Sequence, residues 1–309
     1  MEEKIYDILI IGGGSAGITA GIYAKRAGRD VAILEKFALG GQLNLIGEIE
    51  NYTGFEHIEG SDLARKFAKH AKSLEIPVLN EEAKAFNLEG EIKEIVCRKN
   101  IYKARAIIFA MGSHPRELGI DGEQKFKGRG VSYCALCDGN FFKNKSVAVV
   151  GSGDSAFSDA NYLSSLCEHV FVLTKDKLKM HNYAENEFDD KQNITVLRGA
   201  FSQKIEGESK VERLAYLQNE TLQKIDVDGV FVAIGRTPET EVLKSKLSLD
   251  ERGYIITNDK METNIKGVYA CGDVRANGIK QISTAVGEGA IAGTEAVKYA
   301  LLSKAKNKQ

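Results

Sequence analysis

Two cysteines two residues apart, Cys134-Ala135-Leu136-Cys137, are followed at once by Asp138. Thiols at that spacing can close a small disulfide, and a lowered pKa on one of them makes it a nucleophile in thiol–disulfide exchange. The adjacent carboxyl can deliver a proton when a thiolate attacks or leaves. Zinc is the competing chemistry for such a pair, but it takes four ligands. The sequence offers no second Cys-x-x-Cys, and its histidines (His57, His70, His114, His169, His181) are scattered, so no metal is expected. Cys97, Cys167 and Cys271 are scattered as well and read as fillers of core space or surface gaps.

A second kind of chemistry is carried by glycines. The β-rich stretch Lys4 to Ile11 runs into Gly12-Gly13-Gly14-Ser15-Ala16-Gly17, then a helical stretch from Ile18 to Ala27 and a strand, Val31 to Leu34, ending at Glu35. In such a unit Gly12 makes the tight turn, Gly14 lets backbone approach a pyrophosphate, and Gly17 allows close helix–strand packing. Glu35 is placed to accept a ribose hydroxyl. The same order returns in mid-chain: strand Val147 to Val150, loop Gly151-Ser152-Gly153-Asp154-Ser155-Ala156, helix Phe157 to Leu166, strand Val170 to Leu173. Gly12 to Glu35 and Gly151 to Thr174 both span 23 positions. Equal spacing argues for two dinucleotide-type domains rather than one chance glycine loop. The second unit has Thr174 where an acid would select NAD. Beyond it stand Lys175, Lys177 and Lys179, interrupted by Asp176, which could attract a 2′-phosphate or be an ordinary solvated loop.

These elements need a sizeable soluble fold around them, and 309 residues allow about two domains. Hydrophobic residues are 43% and charged residues 28%, a globular balance that excludes a disordered chain. Lys plus Arg (42) against Asp plus Glu (43) leaves a net charge of −1, so nothing global favours nucleic acid or an anionic membrane. The longest apolar runs, such as Ile8 to Ile11 and Ala106 to Met111, are far short of the roughly 18 residues that span a bilayer. The opening Met1-Glu2-Glu3-Lys4 is not a basic leader, and the expected location is the cytoplasm. Five cysteines in such a chain are no secreted framework; in a reducing compartment the pair is redox-active or metal-binding. The fold class expected is α/β: two Rossmann-like three-layer (β/β/α) nucleotide-binding domains, the second inserted into the first. The first takes residues 1–114 and 246–309 and the insert 115–245, with Gly112 to Pro115 the outgoing hinge and Leu243 to Leu249 the return. Gly272-Asp273 follows a short strand, where the carboxylate could accept from a polyol hydroxyl or simply cap a turn. The last helix, Thr284 to Ser303, opens near Gln281 and could stabilise negative charge on a reduced isoalloxazine.

Taken together, the motifs resemble those of the low-molecular-weight thioredoxin reductases along essentially the whole chain. The matching stretches are the first glycine loop, Gly40-Gly41-Gln42-Leu43, Glu50-Asn51-Tyr52-Thr53-Gly54, Val131 to Gly139 around the cysteines, and Cys271-Gly272-Asp273-Val274. The resemblance implies a homodimeric flavoprotein that reduces thioredoxin, with FAD in the discontinuous domain and the cysteines in the insert. It implies FAD contacts at Gly12, Gly14, Ser15, Ala16, Gly17, Glu35, Lys36, Gly41, Gln42, Asn51, Ala110, Gly112, Gly272, Asp273, Gln281 and Ile282. It also implies roles: Cys137 faces the flavin, Cys134 attacks the thioredoxin disulfide, Asp138 is the general acid, and one domain rotates against the other. NADPH-using members carry Gly-Gly-Gly-Asp-Ser-Ala-x-Glu-Glu and His-Arg-Arg-x-x-x-Arg stretches. Here the first is Gly151 to Asp159 without its two glutamates, and the second is Thr174 to Lys179, without the paired arginines and one residue shorter. This pattern is similar to the ferredoxin-linked thioredoxin reductases, so the expected donor is reduced ferredoxin, with NADPH the alternative. An acidic ferredoxin needs a basic face, for which Lys125, Lys127, Arg129, Lys143 and Lys145 are candidates. A flavin-binding regulatory protein, or a flavin reductase or oxidase with incidental cysteines, are the readings from other classes.

Overall fold

The computed structural model describes residues 4–175, 188, 191–276 and 279–306. It divides into two compact units, Met1–His114 with Thr237–Gln309, and Pro115–Arg236.

In the first unit the apolar run Ile5–Ile11 is the centre of a parallel sheet. Val31–Leu34 and then Val78–Leu79 lie to one side, Ile101–Phe109 and then Val268–Ala270 to the other. A strand covered on both faces has no polar face to alternate with, which is why Ile8, Leu9 and Ile10 are all fully buried. Helix α1 (Ser15–Arg26) and the residues that later join it pack on one face. The amphipathic helix α2 (Gly60–Ser73) buries Leu63 and Ala64 in a satellite cluster with Leu43, Ile49 and Ile58. On the opposite face, Ala83–Asn87 and Lys93–Cys97 form an antiparallel arm with the first half of Ile101–Phe109. It brings Phe86 and Ile95 against Leu9, Ile11 and Phe109.

The second unit repeats this plan. Its parallel sheet runs Val131–Ser132, Gly229–Val232, Ser146–Val150, His169–Thr174, Ile194–Arg198. A short helix α3 (Ala135–Asp138) follows the first of these strands, and α4 (Asp154–Ser164) sits on one face through Phe157, Ala160 and Leu163. A three-stranded antiparallel sheet, Phe201–Glu206, Arg213–Gln218 and Thr221–Asp226, covers the other face through Ile205, Leu214 and Tyr216. Each unit is thus the β/β/α nucleotide-binding layering that the repeated strand–loop–helix grammar indicates.

The chain closes with helix α5 (Ile282–Lys306), which lies along α1 in the first unit. Their approach is backbone to backbone: a Cβ on Gly289 would stand 2.3 Å from the Ala16 carbonyl oxygen, and one on Gly293 2.6 Å from that of Ala20. The two chain crossings, Ser113–Pro115 and Arg236–Pro238, pair as a two-stranded sheet. The return therefore falls at Thr237, not at the expected residue 246. The reason is packing: the short 3-10 turn Glu241–Leu243 buries Leu243 among Leu9, Ile11 and Ile255, and Leu247 joins the same core. Among the described residues, no helix is long and apolar enough to cross a membrane.

Leu243 is then a core residue of the first unit. Leu243→Ala should lower stability by about 2–5 kcal/mol, read by urea unfolding; a change below about 0.5 kcal/mol would place it on the surface.

Candidate functional site

Cys134 and Cys137 are joined in a disulfide with a Cα–Cα distance of 5.3 Å. Cys134, in extended conformation, occupies the position before α3, and its carbonyl accepts the N–H groups of Cys137 (3.2 Å) and Asp138 (3.1 Å). One turn of helix thus folds Cys137 back onto Cys134. Both cysteines are half-buried, and Leu136 between them is exposed. Burial raises the Asp138 carboxyl above the usual aspartate range, while a hydrogen bond from Ser132 pulls in the opposite direction. The Ser132 hydroxyl donates to Asp138 Oδ2 at 2.5 Å and accepts the Cys134 N–H at 3.1 Å. Upstream, Tyr133 donates to Glu123 Oε1 at 2.8 Å, and the same buried carboxylate accepts the Leu118 and Gly119 N–H groups. Ser132 lies in the matching stretch Val131 to Gly139 but has no role assigned there, and Glu123 carries no sequence signal. A serine two residues before a cysteine has no spacing signature, and Glu123 matters only once its loop is folded around it.

In the first unit the glycine loop leaves the C-terminal end of Ile5–Ile11, where open α/β sheets bind ligands. Gly12 has φ +105°, and a Cβ there would stand 2.4 Å from the Ala110 carbonyl oxygen. A Cβ on Gly17 would sit 1.9 Å from the Gly12 oxygen, so α1 starts in direct contact with the loop. Gly14, the residue before α1, differs: no atom lies within 4 Å of where its Cβ would be. The helix N-terminus with Ser15 and Ala16 therefore opens beside free space. Glu35 accepts the Gly13 N–H at 2.7 Å and the Phe37 N–H at 2.9 Å, which ties the loop to the end of the next strand. Lys36 is turned to Glu239, at 3.0 Å, and His114 Nε2 meets the same carboxylate at 2.7 Å. Burial would raise Glu239, but hydrogen bonds from His114 and Lys36 outweigh it and hold the carboxyl below its ordinary value.

The later segments converge on the same edge. Gly272 (φ +74°) would place a Cβ 2.9 Å from that of Ala16, which sets Gly272 and Asp273 beside the start of α1. Glu288 on α5 fixes this turn: it accepts the Gly272 N–H at 2.7 Å and pairs with Arg275 at 2.8 Å. Helix α5 begins at Ile282, two residues before the expected Thr284, whose hydroxyl caps back to the Gln281 carbonyl at 2.9 Å. Gln281 meets Asn51 at 3.2 Å, and Gln42 donates to the Ser113 carbonyl next to Gly112. Gly41 approaches Gly14, its Cβ position being 3.1 Å from the Gly14 Cα. Gly12, Gly14, Ala16, Gly17, Gly41, Ala110, Gly272 and Asp273 thus surround one edge. Lys36, next to Glu35, is engaged with Glu239.

The second glycine loop has the same backbone form. A Cβ on Gly151 would stand 2.3 Å from the Ala233 carbonyl oxygen, the counterpart of Gly12 and Ala110, and α4 starts after Gly153. Ala156 takes the place of Gly17. Thr174 is 1% exposed and ends its strand with its carbonyl on the Ala200 N–H. Lys175 lies over the Phe201 ring at 5.9 Å, whereas Lys177 and Lys179 lie outside the described residues. Of the basic candidates, Lys125 donates to the Gly207 carbonyl, Arg129 to the Lys125 carbonyl and Lys145 to the Phe141 carbonyl, while Lys127 faces Glu117 at 3.8 Å. No group of three metal-ligating side chains exists among the described residues. Cys97, Cys167 and Cys271 are buried free thiols, pushed up by burial to about 11 for the first two.

Two dinucleotide-binding folds, one carrying a half-buried disulfide beside a carboxyl raised by burial, define a disulfide oxidoreductase built on nucleotide cofactors. The profile of the pyridine nucleotide-disulphide oxidoreductases matches residues 6–289, and the chain belongs to that family. It is similar to the thioredoxin reductase of Listeria innocua, 40% identical over 302 residues, which is 96% of this chain and 95% of that one. Among solved structures, the thioredoxin reductase of Streptococcus pyogenes is 36% identical with a TM-score of 0.91, covering 96% of this chain and 98% of that one. The ferredoxin-flavin thioredoxin reductase of Clostridium acetobutylicum is 34% identical with a TM-score of 0.54, with 96% and 98% covered.

The family implies FAD, and the first unit fits it: the open N-terminus of α1 suits a pyrophosphate, and Glu35 keeps lone pairs for a ribose. Gly14→Ala tests this, since the fold has room for the methyl group and a pyrophosphate does not. The purified variant should keep its thermal stability within about 2 °C, a shift well under 1 kcal/mol, yet lose most of its bound flavin. Full flavin content would remove the loop from the cofactor site.

Proposed function

We propose that this protein is a flavin-dependent thioredoxin reductase that passes electron pairs through the Cys134–Cys137 disulfide to oxidised thioredoxin, with reduced ferredoxin as the donor. The observation that carries the reductase reading is the half-buried disulfide with Asp138 beside it, in a chain 40% identical to a thioredoxin reductase. Bound FAD would supply what the thiols lack, a carrier that takes electrons singly and hands them on in pairs. Opening the disulfide takes up two electrons and two protons and yields the Cys134 and Cys137 thiols. Asp138, protonated to higher pH than a surface aspartate, gives its proton to the departing thiolate sulfur. Cys134, before the first turn of α3, then attacks the thioredoxin disulfide as a thiolate; Cys137 attacks the resulting mixed disulfide, restores the Cys134–Cys137 bond and releases thioredoxin as its dithiol. Overall one disulfide opens, one closes, and the electron pair and the two thiol protons move to thioredoxin.

Ferredoxin is favoured as donor by the loss of the arginine pair: after the buried Thr174 the chain has Lys175, an exposed lysine lying over Phe201. A lysine is a point charge without the bidentate grip that recognises a 2′-phosphate. The similarity to the clostridial ferredoxin-flavin enzyme supports the same reading. NADPH is the second reading, favoured by the intact backbone form of the second loop at Gly151 and Gly153. An anaerobic titration of the oxidised enzyme, followed at the visible flavin band, separates them. Reduced ferredoxin should bleach the flavin and thioredoxin should restore it, while NADPH or NADH should bleach it at most slowly at millimolar levels. Fast bleaching at micromolar NADPH would sink the ferredoxin reading.

A cytoplasmic homodimer completes the proposal. Exposed Ile291, Leu301 and Leu302 on α5 are apolar surface suited to a second copy. Sedimentation at micromolar concentration should give a mass of twice the chain; a monomer would overturn it.

A further inference from the structure

The Ser132 hydroxyl stands between Asp138 and the Cys134 backbone, and the proposed reaction gives it no part. It is 5% exposed and closes a strand whose register is fixed, Val131 on Val230 and Ser132 on Phe231, so its position comes from the sheet and not from the loop that carries the cysteines. A hydroxyl has one proton to donate. The 2.5 Å contact to Asp138 Oδ2 takes it, the 3.4 Å approach to the Cys134 carbonyl being much the longer, and a lone pair accepts the Cys134 N–H at 3.1 Å. The order is therefore Cys134 N–H, Ser132 Oγ–H, Asp138 Oδ2.

We infer that Ser132 is the positioning residue of the proton-transfer step: it holds Asp138 Oδ2 as an acceptor, so that the transferable proton resides on Oδ1, and it locks that carboxyl to the backbone of Cys134. A carboxyl oxygen that accepts a short hydrogen bond is the poorer site for the acid proton, so the proton is directed to the other oxygen. When it leaves for the thiolate sulfur, an O–H bond breaks, an S–H bond forms, and the charge left on the carboxylate meets a donor already in place. No electrons move in this step. The direction of the Asp138 shift agrees, since burial raises the carboxyl and the Ser132 bond opposes it. The inference rests on the proposed role of Asp138 as proton donor.

The test uses flavin-loaded enzyme reduced with dithionite, which makes it independent of the natural donor, mixed by stopped flow with oxidised thioredoxin and, in parallel, with hydroxyethyl disulfide. Ser132→Ala should lower the maximal reoxidation rate about tenfold or more, the worth of one hydrogen bond to a charged group, with the half-saturating thioredoxin concentration little changed. It should also move the alkaline limb that belongs to Asp138 to higher pH, because the carboxylate has lost its donor. Ser132→Thr, which keeps the hydroxyl, should restore both. On an Asp138→Asn background Ser132→Ala should cost almost nothing further. If the alanine variant does not fold, Ser132→Thr against Ser132→Val makes the same comparison, the pair being close in shape and differing in the hydroxyl. A wild-type pH profile in Ser132→Ala, or an equal loss on both backgrounds, would overturn the inference. Reaction of wild-type enzyme with hydroxyethyl disulfide alone would overturn the thioredoxin reading only, and the Ser132 comparison is then read on the small disulfide. No reaction with either would overturn both.

Discussion

Close backbone approach is the constraint on which the first unit depends. Gly12 turns within van der Waals contact of Ala110, Gly17 in the first turn of α1 rests against Gly12, and Gly272 lies on Ala16. Gly289 and Gly293 then let α5 rest on the carbonyls of α1. Each contact leaves no room for a methyl group, so strand, loop and both helices are fixed relative to one another by the absence of side chains. The result is an edge where helix N-termini and chain turns gather beside Gly14, the one glycine of that loop with room for a Cβ. The residues that set the packing are the same ones that a phosphate would select.

The second unit uses this geometry for a different end. Gly151 repeats the contact of Gly12, but the unit's chemistry sits two strands away in the sheet, where Val131–Ser132 leads into α3. The fold holds a disulfide on a single turn of helix and a carboxyl in a partly dehydrated place. A hydroxyl from the sheet joins the two. That combination keeps the Asp138 carboxyl protonated to higher pH than an exposed aspartate, on the same turn of helix as Cys137.

Much of this was legible in the sequence, for reasons that differ by residue. The strand–loop–helix units were readable because glycines at fixed spacing and apolar runs buried on both faces leave a strong local pattern, and both layers follow from them. Cys134, Cys137 and Asp138 were readable because their chemistry needs adjacency along the chain. Ser132, Glu123, Glu239 and Glu288 were not: each meets its partner only through the folded sheet or loop, and a serine or glutamate has no pattern of its own. The return from the insert was misplaced for a related reason. Leu243 and Leu247 look like the end of a surface segment until the first unit's core is seen to need them.

The paired crossings Ser113–Pro115 and Arg236–Pro238 have a consequence for the order of biosynthesis. To the first unit, the whole insert is a loop whose two ends are held about one strand spacing apart, roughly 5 Å. The sheet of the first unit lacks Val268–Ala270 and its α5 cover until well after the insert has been made. The insert, by contrast, has all of its strands once Arg236 has emerged. Synthesis from the N-terminus thus lets the unit with the cysteines finish folding while its host is still open, and the ribbon of crossings then brings the late C-terminal segment back to the early strands. The protein is assembled from the inside of its sequence outward.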